Sequence, residues 1–163
     1  MLKGLSMSLF MELQSKELIV FATATLPIIE LRGAIPFGIA LGLSPSASFF
    51  LSLFGSMVPV PLLIWLIRPI FERLRRQENL SHIIDCLCKR SLAQSHSVKK
   101  YGFWGLIVFV AIPLPGTGVW SGALVATLLD MQVRVALPAI FIGNLLAGIA
   151  VMVLSYGALS LVN

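Results

Sequence analysis

Glu30 and Arg32 are the charged residues inside the apolar block from Leu18 to Leu43. A carboxylate can take up and release a proton, and a guanidinium two positions away can bind an anion. Insertion scales put one charge at the bilayer centre at about 2.5–3.5 kcal/mol, so two at that depth require a reason. Residues two apart point to nearly opposite sides of a helix but share a side in an extended segment. Pro27 and Pro36 flank the pair in "PIIELRGAIP" and favour non-helical backbone. The stretch is therefore expected to form an extended hairpin tip, with both side chains reaching one cavity and Glu30 as the proton-coupling group. The bland alternative is a self-neutralising pair that holds the tip together.

A second interruption, "AIPLPGTGVWSG" from Ala111 to Gly122, breaks an uncharged run from Phe103 to Leu129. After each break a half-helix is expected, one starting near Gly33 and one near Val119, with free N–H groups and a positive dipole end turned to the midplane. With Arg32, these make a site for an anion. Pro115 breaks the helix, Gly116 and Gly118 permit close backbone approach, and Thr117 and Ser121 add hydroxyl donors. Trp120 either walls the cavity or packs against lipid. Asn144 lies among Ala139, Gly143 and Ala147, which recur at four-residue spacing. That ladder reads as a close helix contact, within one protomer or in a dimer, and Asn144 reads equally as part of it or as part of the site.

The elements that must position these residues follow from the apolar pattern. Of 163 residues, 58% are hydrophobic and 12% charged, against roughly 25% charged in a soluble domain. Mean hydropathy is +0.96, so the chain is expected to be an integral membrane protein of one domain: a first repeat over 18–67, a basic linker over 68–102 and a second repeat over 103–162. Glu30 and Arg32 divide the first block into pieces of twelve and eleven residues, each too short to cross about 30 Å of hydrocarbon. Ser44–Ile67 is long enough to span, with kinks at Pro59 and Pro61, and so is Val135–Val162. Leu2, Leu5, Leu9 and Leu13 predict a short amphipathic helix on the membrane surface rather than a signal peptide.

Eight of the twelve basic residues lie between Arg68 and Lys100, which places that segment on the cytoplasmic side as amphipathic helices meeting lipid headgroups, not nucleic acid. Cys86 and Cys88, with His82 one helical turn before, are too few for a metal site, and no metal or cofactor is expected.

The halves also resemble each other. "LIVF" at Leu18 recurs at Leu106, "LP" at Leu26 recurs at Leu114 and "GA" at Gly33 recurs at Gly122, at offsets of 88 and 89 residues. Each half reads as a broken hairpin followed by a spanning helix. If the hairpins are re-entrant, each half crosses once and the second lies inverted; if they cross completely, there are four spans and parallel repeats. The expected fold class is an all-α integral membrane protein, an inverted repeat of two re-entrant hairpins and two transmembrane helices with a cytoplasmic amphipathic segment.

Through "LPIIELRGAIPFGIALG" and "YGFWGLIVFVAIPLPGTGVWSGALVA" the sequence resembles the bacterial small multi-drug export family over nearly its whole length. That resemblance implies export across a membrane. Family members usually carry Gly-Asn before Pro-Val-Pro in the first span; here Gly55-Ser56 precedes Pro59-Val60-Pro61, while Asn144 keeps the second Asn. A more distant likeness is to the DedA and VTT-domain proteins, which pair two re-entrant hairpins and are implicated in moving phosphate-bearing lipids. Pro113-Leu114-Pro115-Gly116 fits their hairpin tip, but no carboxylate follows it.

The function expected is a small transporter of the bacterial inner membrane, multi-pass and proton-coupled. It would move an amphipathic anionic or phosphate-bearing, lipid-like substrate through a midplane site between the hairpins. The rivals are a proton-coupled exporter of hydrophobic cations and a non-transporting scaffold. An enzyme is not expected, because both histidines lie in the basic segment and no nucleophile constellation sits at membrane depth. Expected partners are membrane lipids, the substrate and protons; so small a unit is also expected to pair with a second copy.

Overall fold

The computed structural model describes residues 2–75, 96–112, 114 and 117–162, and every regular element among them is an α-helix. In chain order these are α1 (Leu2–Thr25), α2 (Glu30–Ala40), α3 (Pro45–Met57), α4 (Pro59–Arg75), α5 (His96–Tyr101), α6 (Phe103–Ala111), α7 (Val119–Leu128) and α8 (Val133–Val162). The chain divides into two compact units, Met1–Ser56 with Gly148–Asn163, and Met57–Ala147. His82, Cys86 and Cys88 lie outside the described residues, as does most of the basic linker.

In the first unit α1 packs along α2. α1 runs unbroken from Leu2, so the separate surface helix expected over Leu2–Leu13 is not formed. The intervening "ELQSKEL" is built mostly of good helix formers and nothing in it stops the backbone. Pro27 follows shortly after α1 ends. Thr23 and Thr25 donate their hydroxyls to the carbonyls of Ile19 and Ala22, both at 2.6 Å, which satisfies them without water. The core here is Val20, Ala24, Ala34 and Leu43, with Leu41 and Leu51 against it.

α2 closes on a Schellman motif. The N–H of Leu43 donates to the carbonyl of Gly38 (3.0 Å) and that of Gly42 to Ile39 (2.9 Å), with Gly42 at φ +85°. Ser44 then caps α3, its Oγ accepting the Ala47 N–H at 3.2 Å, and Pro45 takes the first helical position. Gly55 lies so close to α1 that a methyl there would sit 2.5 Å from the Phe21 carbonyl oxygen.

The second unit repeats these devices. The N–H of Met131 donates to Ala126 (2.9 Å) and that of Asp130 to Thr127 (3.1 Å), closing α7 on another Schellman motif with Asp130 at φ +52°. α8 starts at Val133, 88 residues after the start of α3. Gly143, 88 residues after Gly55, packs against α6, where a methyl would sit 2.7 Å from the Ile107 carbonyl oxygen. α4 packs on α7 and α6 on α7, around a core that includes Val60, Ile64, Leu106, Val110, Val119 and Ile140.

Among the described residues two helical runs are long and apolar enough to cross a bilayer: Pro45–Ile67 and Val133–Ser155, each 23 residues. At 1.5 Å per residue each reaches about 35 Å. The first is interrupted at Val58, before Pro59 and Pro61, where two missing N–H donors open the helical ladder. By the same rise α2, α6 and α7, with eleven, nine and ten residues, reach only about 14–17 Å.

Candidate binding site

The first tip differs from the extended hairpin expected from its prolines. Residues 26–29 form a tight turn, in which the Glu30 N–H donates to Leu26 (3.0 Å) and the Gly33 N–H to Ile29 (2.9 Å). α2 therefore begins at Glu30 rather than near Gly33, and Glu30, Arg32 and Gly33 all lie in its first turn. Pro36 sits inside the helix; it removes the donor that would otherwise reach the Arg32 carbonyl, yet the flanking turns keep their form.

Glu30 itself takes φ +49°, a conformation that side chains rarely adopt and that costs on the order of 1–3 kcal/mol. Its side chain is buried, 9% exposed, whereas Arg32 is half-buried. The Glu30 carboxylate and the Arg32 guanidinium lie close enough to interact electrostatically. Leu31 between them is fully buried and packs on Gly148, where a methyl would lie 3.1 Å from Leu31 Cδ1. The turn before the pair is apolar and open: Leu26 is 49% and Ile28 94% exposed. The first tip is thus a buried carboxylate and a more accessible cation beside an exposed apolar turn.

The second tip carries no charge. α6 ends at Ala111 and Ile112 is extended, so the chain leaves the helix at once. Thr117 Oγ1 accepts the Leu114 N–H (3.3 Å) and lies within donating distance of two carbonyls, Ile112 (2.7 Å) and Leu114 (2.9 Å). Ser121 donates back to the Gly118 carbonyl at 3.3 Å. The hydroxyls expected as ligand donors are in this way used to knit the turn. Gly118 precedes α7 at φ +157° with no side-chain cap. Trp120 packs against the core of the second unit, as a half-buried core residue. Pro115 and Gly116 lie outside the described residues.

The family model described as "Putative small multi-drug export protein" matches residues 30–150. The chain belongs to that family. The match opens on Glu30, the first residue of α2, and closes in α8, so it takes in Glu30 and Arg32, the second tip, the first candidate span and most of the second, and leaves α1 and the turn at 26–29 outside. It is a membrane protein family, and its description is one of export. No curated protein and no solved structure matches the chain.

Glu30, Arg32 and Gly33 come together in the first unit, and Thr117, Gly118, Trp120, Ser121 and Asn144 belong to the second. Asn144 is 4% exposed and follows Gly143, whose added methyl would lie 2.8 Å from Val110 Cβ. Ala139 and Ala147 are buried too, so this ladder is a packed helix face.

Sequence reasoning passed over two features. Ser48, Ser52 and Ser56, legible at four-residue spacing in "SASFFLSLFGS", are fully buried along α3, and among the described residues the Ser48 and Ser52 hydroxyls have no hydrogen-bond partner. The contact of Leu31 with Gly148 joins residues 117 apart and has no signal in the pattern.

Proposed function

We propose that the chain is a small transporter of the bacterial inner membrane that moves an amphipathic anion, with a phosphate-like head group meeting Arg32 and proton exchange carried by Glu30. One observation carries this reading: a buried carboxylate in strained backbone stands beside a half-buried guanidinium, in the first turn of a helix too short to cross a membrane. Arg32 is the more accessible of the two charges, which favours an incoming anion. The exposed Leu26 and Ile28 suit a substrate with an apolar part.

The short helices α2, α6 and α7 also favour re-entrance of the segments they form over full crossings. One crossing per half then makes the halves inverted, and the matching caps at Gly42 and Asp130 and the matching glycines at 55 and 143 support a common origin for them. Trp65, Tyr101 and Trp104 are exposed on either side of the basic linker, with Lys100 Nζ 5.2 Å from the Tyr101 ring centroid. Exposed aromatics beside a basic segment suit a membrane interface on the cytoplasmic side.

A second reading, export of hydrophobic cations neutralised by Glu30, is favoured by the family's description and by the inward use of the Thr117 and Ser121 hydroxyls. Vesicles containing the purified full chain separate the two. Under a proton gradient, uptake of a fluorescent alkyl phosphate that is lost in Arg32→Ala, and uncoupled from the gradient in Glu30→Gln, supports the anion. Movement of a cationic dye that survives Arg32→Ala and fails in Glu30→Gln supports the cation. If both variants keep full function while charge reversal at Arg75 and Arg76 destroys it, the chain is a scaffold instead.

A further inference from the structure

The first unit carries a cavity of about 300 Å³, lined by Ser46, Phe49 and Phe50 from α3 and by Ile149, Met152 and Val153 from α8. That volume is at the lower end for ligand pockets, and the lining side chains are apolar except for Ser46. We propose that this groove holds the alkyl tail of an amphiphile whose anionic head meets Arg32; the assignment rests on the transport reading above and names the apolar half of its substrate.

Three observations support a tail there. The groove is open along its side, with Phe50, Ile149 and Val153 at 55%, 48% and 65% exposure. All three belong to the candidate spans Pro45–Ile67 and Val133–Ser155, so in a bilayer the opening meets hydrocarbon and a tail enters without crossing water. The inner wall adjoins the charged tip: a methyl at Gly148 would lie 2.8 Å from Phe49 Cε2 and 3.1 Å from Leu31 Cδ1. Leu31 is the chain neighbour of both Glu30 and Arg32, so the groove's inner wall meets the helical turn that carries the charges. The wall is also firm, because Phe49 is buried and its ring meets that of Phe50 edge-on at 5.4 Å.

Ordinary lipid would fill such a groove without preference, and a second copy could cover it; the test separates these from a bound tail. The full chain is placed in phosphatidylcholine nanodiscs with dodecyl phosphate bearing a terminal diazirine, or with dodecanol bearing the same group, and adducts are mapped after illumination. The phosphate probe is expected to label Phe50, Ile149, Met152 or Val153 about tenfold more than the alcohol. Arg32→Ala should reduce it to the level of the alcohol, and Ile149→Trp, which fills the groove from an exposed position, should remove most of the label. Val153→Trp serves if Ile149→Trp does not stay monodisperse.

Equal labelling by the two probes means bulk lipid only and overturns the assignment. So does labelling that persists in both tryptophan variants, or adducts that join two copies across the groove. Arg32-dependent labelling of the groove by a probe that is never transported would leave the assignment standing and sink the transport reading. Transport that continues unchanged in both tryptophan variants, with no groove label, would do the reverse.

Discussion

The two tips, with Leu-Pro at 26 and again 88 residues later at 114, are built by different means. The first closes with backbone hydrogen bonds onto Leu26 and Ile29 and places a buried carboxylate and a guanidinium in the first turn of α2. The second closes through one threonine hydroxyl and a glycine, and holds no charge. The elements behind them share two devices: each second arm ends on a Schellman motif and each candidate span presents a glycine to a backbone carbonyl. Structural devices recur, then, while the chemistry sits on one side. In the proton-coupled transport proposed above, that asymmetry would leave Glu30 alone to carry the proton.

The sharpest way to break this comparison is at the charges. Arg32→Ala and Glu30→Gln are each expected to lower alkyl-phosphate transport in vesicles by about 10- to 150-fold, on the scale of losing one charged hydrogen-bonded contact. Thr117→Val should change it by less than about threefold. If Thr117→Val is as harmful to transport as Arg32→Ala, the second tip also binds and the asymmetry is false.

Next in size are the glycines that meet carbonyls. Gly55→Ala and Gly143→Ala place a methyl 2.5 and 2.7 Å from Phe21 and Ile107 oxygens, and each is expected to cost about 1–3 kcal/mol through forced helix separation. Thermal unfolding in detergent measures both. Equal losses sharpen the repeat; a loss at one position alone would show that the matching spacing is decorative.

Thr117→Val removes a hydroxyl that braces the second turn, while the Leu114 N–H keeps the Ile112 carbonyl and the Leu114 carbonyl keeps the Thr117 N–H. A loss of about 0.5–1.5 kcal/mol is expected, read in the same unfolding experiment. Smallest of all are the two caps. Gly42→Ala forces a Cβ into φ +85° and should cost about 1 kcal/mol, whereas Asp130→Gly relieves φ +52° and should be neutral or stabilising by a few tenths of a kcal/mol. Opposite signs at these corresponding positions would show that the same turn is made with the better residue in one half.

Much of the architecture was legible because it depends on runs of side chains. The two spans, the interruption before Pro59 and Pro61, and the breaks at both tips follow from apolar length and from residues that cannot continue a helix. The first tip was misread for a specific reason. Pro27 and Pro36 argue against helix, but Pro27 falls in the turn and Pro36 seven residues into α2, where packing of the arm on α1 offsets one lost hydrogen bond. The spacing of Leu2, Leu5, Leu9 and Leu13 predicts a separate surface helix, but the charges that follow interrupt an apolar face and not a backbone, and α1 continues through them.

By itself the sequence determined a helical membrane chain with two long candidate spans, two broken apolar runs and one pair of opposite charges inside an apolar block, because hydropathy, helix breaking and charge are local properties. Only the tertiary structure decided that Glu30 sits in strained backbone while Arg32 stays accessible, and that the Thr117 hydroxyl is turned onto its own loop. It also decided that Leu31 meets Gly148 beside an apolar groove. These depend on which surfaces come within contact distance, and contacts between residues more than a hundred positions apart leave no mark in the spacing along the chain.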